Sequence, residues 1–175
     1  MNNQQFVYTS LLRFMGLAAI QVLLLRQFAL NSGFMASIYV FVYPLFVFLL
    51  PRRIPSWIVM IIAFFCGLTI DIFSDSMGVH ASASVMSALA RSIVLYYLEP
   101  SGGYNESFVP NSRQMGFTQF LVYVSILLFV HVLWFFSMEI FTPVYIVDIL
   151  KNTIFSFLIS LVLILPIQLI FNPRD

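Results

Sequence analysis

The densest group of chemistry-bearing residues in this apolar chain is Gly67-Leu68-Thr69-Ile70-Asp71-Ile72-Phe73-Ser74-Asp75-Ser76-Met77-Gly78-Val79-His80. Gly67, Asp71 and Ser74 are spaced four and three apart, so on a helix they share one face. Gly78 permits a tight turn, and a second helix starts at once. On it His80, Ser84, Ser87 and Arg91 recur at offsets of zero, four, seven and eleven, again one face. A carboxylate placed like Asp71 can cap such a hairpin, accepting hydrogen bonds from nearby backbone and from Ser74. It can also pair with a cation, for which Arg26 lies at a similar depth, relay a proton, or contact a ligand. The structural roles rank first, because a charge within a bilayer is costly and asks for a partner.

The other polar residues are sparse. His80 and His131 are far apart in sequence and neither sits in an HExxH or HxxxH pattern, so no metal site is expected. There is no GxxxxGK[ST] phosphate loop, no GxSxG nucleophile and no GxGD aspartyl motif. No catalytic residue, cofactor or enzymatic activity is therefore expected. Cys66 is the only cysteine, which rules out an internal disulfide, and it reads as a small buried residue. Arg13 and Arg91 are expected to snorkel toward the cytoplasmic interface. Trp57 reads as an interfacial anchor and Trp134 as a packing residue. Glu139 and Asp148 flank a short outer turn.

The elements that must position these groups are membrane helices. Of the 175 residues 61% are hydrophobic and only 9% are charged, against roughly 25% in an ordinary soluble domain. Net charge is +1, so no basic field exists for nucleic acid. A helix crossing the hydrocarbon core needs roughly 20 apolar residues. Six stretches qualify, at about 8–30, 34–50, 56–73, 79–98, 116–138 and 144–171, forming a single all-α, polytopic membrane domain. The second is short and contains Pro44; the fourth is rich in Ala and Ser. Small residues let helix backbones approach closely, so spans three and four are expected to form a packed hairpin. With the N-terminus inside, Arg13, Arg52, Arg53, Arg91, Arg113 and Arg174 fall on the cytoplasmic side and Arg26 and Lys151 outside, which places both termini in the cytoplasm. The connection over 99–115 carries turn signals at Pro100-Ser101-Gly102-Gly103 and Pro110-Asn111-Ser112 and reads as a cytoplasmic loop.

The stretch Gly67-Leu68-x-x-Asp71, then Ser74, Gly78-Val79 and the Ala/Ser-rich helix through Arg91 resembles the MreD family of bacterial rod-shape proteins. The Pro51-Arg52 pair, the length and the scarcity of soluble loops are similar to that family as well. Asp75 departs from it, standing where many relatives have Gly, and the 99–115 loop is long. The resemblance implies an inner-membrane scaffold of the elongation machinery that binds the bitopic protein MreC. Through MreC it would connect MreB to a wall glycosyltransferase and a penicillin-binding transpeptidase. Gly67, Asp71, Ser74, Gly78, Arg91 and Arg26 are the structural or partner-binding candidates. The fold implied is similar to the substrate-binding S component of energy-coupling-factor transporters. That likeness keeps a second function open, vitamin binding at an outer pocket lined by Asp71, Arg26 and His80.

Overall fold

The computed structural model describes residues 12–25, 30–32, 35–105 and 108–170. The chain is predominantly helical. Helix α1 is apolar over Leu12–Leu23 and passes into a π-helical turn at Ile20–Leu25. A short antiparallel ladder follows, β1 (Leu30–Ser32) with β2 (Met35–Ile38), pairing Leu30 with Ile38 and Ser32 with Met35. Then come α2 (Leu45–Phe48), α3 (Ser56–Ser74), α4 (Val79–Tyr97), α5 (Ser112–Met115), α6 (Phe117–Ile140), a 3-10 turn at Pro143–Tyr145 and α7 (Ile146–Ile170).

Among the described residues four helices, α3, α4, α6 and α7, are long and apolar enough to cross a membrane. Helix α4 has the lowest mean hydropathy of the four, 1.2, because its Ala and Ser residues are spent on packing. It is the hub of the bundle, in contact with α3 on one side and α6 on the other, while α7 packs on α6 and on β2. The core is built from Phe120, Tyr123, Leu127, Leu128 and Phe136 of α6 with Leu95 of α4, Ile70 of α3 and the buried run Phe41 to Phe48.

The stretch expected as a second helical span, 34–50, is not one helix. It runs as strand β2, continues without regular structure through Val42, turns at Tyr43 and Pro44, and makes only the single turn α2. Hydropathy alone cannot separate an apolar extended segment from an apolar helix. Two local signals favour the extended form. Tyr39-Val40-Phe41-Val42 is all aromatic or β-branched, and Pro44 disfavours the helical region for Tyr43.

Non-helical backbone inside a membrane domain survives only if the protein satisfies its polar groups. Here side chains do so. The Gln21 amide clasps the segment, donating to the Val40 carbonyl at 2.7 Å and accepting from the Val42 N–H at 2.9 Å. On the other side Ser156 and Ser160 of α7, one turn apart, accept from the N–H groups of Tyr39 (3.1 Å) and Phe41 (2.8 Å). Three polar side chains from two helices thus replace the neighbouring strands that a sheet would supply.

Candidate functional site

The α3–α4 hairpin forms as its residues require. Gly67 marks the closest approach: a Cβ there would lie 2.5 Å from Ala81 Cα and from the His80 carbonyl oxygen. Only hydrogen fits. Helix α3 ends at Ser74, after which Asp75 adopts a left-handed conformation (φ 54°), and Gly78 does the same (φ 81°) before α4 begins. Left-handed backbone is glycine's natural region. Asp75 occupies a position where glycine is favoured.

Asp71 is buried, and its carboxylate is filled by the hairpin itself. The His80 N–H donates to Oδ1 at 3.0 Å, the Ala81 N–H to Oδ2 at 2.9 Å, and the Ser76 hydroxyl to Oδ1 at 2.6 Å. The two N–H groups are first-turn donors of α4, which have no partner within their own helix. An anion there also meets the positive end of the helix dipole. Asp71 therefore caps the hairpin. The hydroxyl that reaches it is Ser76's, where Ser74 had been expected; Ser74 is half-buried at the end of α3. Arg26, the expected ion-pair partner, lies outside the described residues.

Beneath this cap the structure joins residues that are remote in sequence. Tyr43 presents its hydroxyl to His80 Nδ1 at 3.2 Å and to His131 Nε2 at 3.0 Å. His131 Nδ1 meets Ser87 Oγ at 3.3 Å. Ser87 donates to the Ser84 carbonyl (2.9 Å) and Ser84 to the His80 carbonyl (2.8 Å). All three rings are buried among aromatics, with Phe41 and Phe135 beside the histidines. The polar face of α4 thus points into the protein: His80, Ser84, Ser87 and Arg91 are all buried.

Arg91 corrects an expectation. It does not snorkel: it is 2% exposed, and its Nη2 donates to the Leu50 carbonyl just past the end of α2. Beside it Tyr123 donates to the Phe48 carbonyl at 2.8 Å. The short helix α2 leaves carbonyls unpaired at its C-terminal end, and these two side chains collect them. The Nε proton of Arg91 has no acceptor within the described fold.

The described parts of the 99–115 connection, 99–105 and 108–115, lie against the bundle at the same end. Tyr104 stacks on Phe108 at 4.0 Å, its hydroxyl donates to the Leu98 carbonyl (2.8 Å), and the Phe108 carbonyl accepts from the Arg52 N–H (2.9 Å). Asn111 caps α5 by accepting from the N–H groups of Arg113 and Gln114. Partial burial pushes the Tyr104 phenol above its usual pKa, Glu99 adds to the rise, and Arg52 opposes it.

Trp57 is exposed and Trp134 partly buried against the core, while Cys66 is buried. Glu139 and Asp148 are exposed on either side of the Pro143–Tyr145 turn. Of the sequence candidates, the structure brings Gly67, Asp71 and Gly78 together at one end of the hairpin and puts Arg91 toward the other. Tyr43, His131, Gln21, Ser156 and Ser160 were missed as site residues. The signal for Tyr43 was its place before Pro44 in a β-prone run. Comparison with family models, curated proteins and solved structures returns no match.

Proposed function

We propose that this chain is a non-enzymatic membrane scaffold of the MreD type, which holds partner helices of the cell-elongation machinery in the bilayer. The observation that carries this reading is where the polar groups go. The Asp71 carboxylate is filled by His80, Ala81 and Ser76, and Tyr43, His80 and His131 are turned toward one another. The outward surfaces of the long helices are left apolar. Ile61, Phe65 and Ile72 on α3, Ile93 on α4, Ile126 and Phe129 on α6, and Ile154 and Leu158 on α7 are all exposed. A rigid hairpin with apolar outer faces suits helix-on-helix binding in lipid, where close packing supplies the affinity.

In this proposal the partner is the bitopic protein MreC, with MreB, a wall glycosyltransferase and a penicillin-binding transpeptidase reached through it. The membrane is the bacterial inner membrane, with both termini cytoplasmic. Six crossings, two of them carried by 8–30 and 34–50, and a likeness to the S-component fold belong to the same proposal.

Mild-detergent purification of the tagged protein from its native membrane, with partners identified by mass spectrometry, tests it. Recovery of MreC supports the scaffold. Recovery of a coupling protein with paired ATPases overturns it in favour of a vitamin-binding component.

A further inference from the structure

The other end of the hairpin, where α3 starts and α4 finishes, holds an open counterpart to the Asp71 site. A half-open cavity of about 360 Å³ is lined there by Arg52, Arg53 and Arg91 together with Ser56, Ser92 and Tyr96, and among the described residues no carboxylate lines it. Arg91 forms its buried wall. Pro55 gives α3 no side-chain cap, so the start of this 19-residue helix adds its free N–H groups and positive dipole end to the same wall. The Ser92 hydroxyl is tied to Ser56 at 2.8 Å, which joins the two helices across the cavity.

The depth of the cavity narrows the ligand. Trp57 at the start of α3 and Tyr96 and Tyr97 at the end of α4 are exposed at this end. Exposed Trp and Tyr at the ends of spans mark the headgroup level. Basic pockets between membrane helices at that level suit acidic lipid headgroups.

We propose that this cavity binds a phosphate-bearing anion through Arg52, Arg53 and Arg91, with a lipid headgroup or free phosphate as its source. Guanidinium groups suit it because their planar forks match phosphate oxygens.

The test uses the full-length protein in detergent, equilibrated with equal amounts of phosphatidylglycerol and phosphatidylcholine and examined by native mass spectrometry. A parallel thermal-unfolding titration uses inorganic phosphate. Phosphatidylglycerol is expected to be retained about tenfold or more over phosphatidylcholine. R52Q/R53Q should abolish that preference. R91K, which keeps the charge and loses the planar guanidinium, should reduce it several-fold. Selective lipid retention with no response to phosphate assigns a headgroup; a phosphate-induced rise in the unfolding midpoint that R52Q/R53Q abolishes assigns a free anion. Equal retention of the two lipids with no phosphate response overturns the proposal. So does a preference unchanged in R52Q/R53Q that elutes as the folded protein. Where the double variant does not fold, R53Q, at an exposed position, carries the same comparison.

Discussion

The α3–α4 hairpin buries one charge toward each end, and the two are treated differently. Asp71, at the tip, receives three donors among the described residues, all from the ten residues that follow it. Arg91, toward the open end, has a carbonyl of Leu50 for one nitrogen and, among the described residues, no acceptor for another. The first charge is a structural cap complete within its own hairpin. The second is a buried cation whose coordination the fold leaves unfinished, beside a cavity lined by two further arginines. Burial alone therefore does not separate a structural charge from a binding one; the count of filled hydrogen-bonding positions does.

The largest effect is expected from Asp71→Ala, which strands two helix-start N–H groups and the Ser76 hydroxyl. The loss should be about 3–5 kcal/mol, since bonds to a charged group contribute roughly 1.5–3 kcal/mol each and are not additive. Reversible unfolding in mixed micelles measures it. Asp71→Asn should recover only part, because its amide group offers a donor where the site needs acceptors.

Gly67→Ala comes next, at about 2–3 kcal/mol, as the added methyl meets backbone that cannot swing aside. A variant that unfolds at the parent's denaturant midpoint would show that the helices are not locked at this contact.

The sharpest check of the contrast is Arg91→Met. Losing a partly coordinated cation should cost about 1–2 kcal/mol, less than Asp71→Ala. A cost equal to that of Asp71→Ala would erase the distinction between the two ends.

Tyr43→Phe removes the hydroxyl between the histidines and should cost about 1–2 kcal/mol. The His80 and His131 ring resonances should shift together in NMR spectra, and a shift confined to one ring would break the network. The smallest effect, about 1 kcal/mol, is expected for Asn111→Ala at the α5 cap, read as faster proteolysis of the 99–115 loop.

The hairpin was legible because its determinants are local. Gly67 and Asp71 fall on one helical face by spacing, and Gly78 stands where a left-handed residue starts the next helix. The mistake over Ser74 is equally local. Face arithmetic holds only while the helix continues, and the left-handed turn at Asp75 brings Ser76 back over the carboxylate. Arg91 was misjudged because snorkelling assumes that the nearest acceptors are outside. Whether a long cation reaches outward or inward depends on what its neighbours leave unpaired, and the neighbour here is the carbonyl of a residue 41 positions earlier.

Composition and periodicity by themselves determined that this chain lives in a bilayer, that α3, α4, α6 and α7 are helices long enough to cross it, and that α3 and α4 close on a glycine. These follow from hydropathy, length and near-neighbour sterics, which act within a few residues. Tertiary structure alone decided that 39–42 stays extended, that Tyr43 joins His80 to His131, and that three arginines meet at one cavity. Each of those depends on partners tens of residues away, such as Gln21, Ser156 and Ser160 clasping an otherwise unsatisfied backbone. In an apolar solvent the backbone takes whichever form its neighbours can satisfy, and the neighbours are set by the fold.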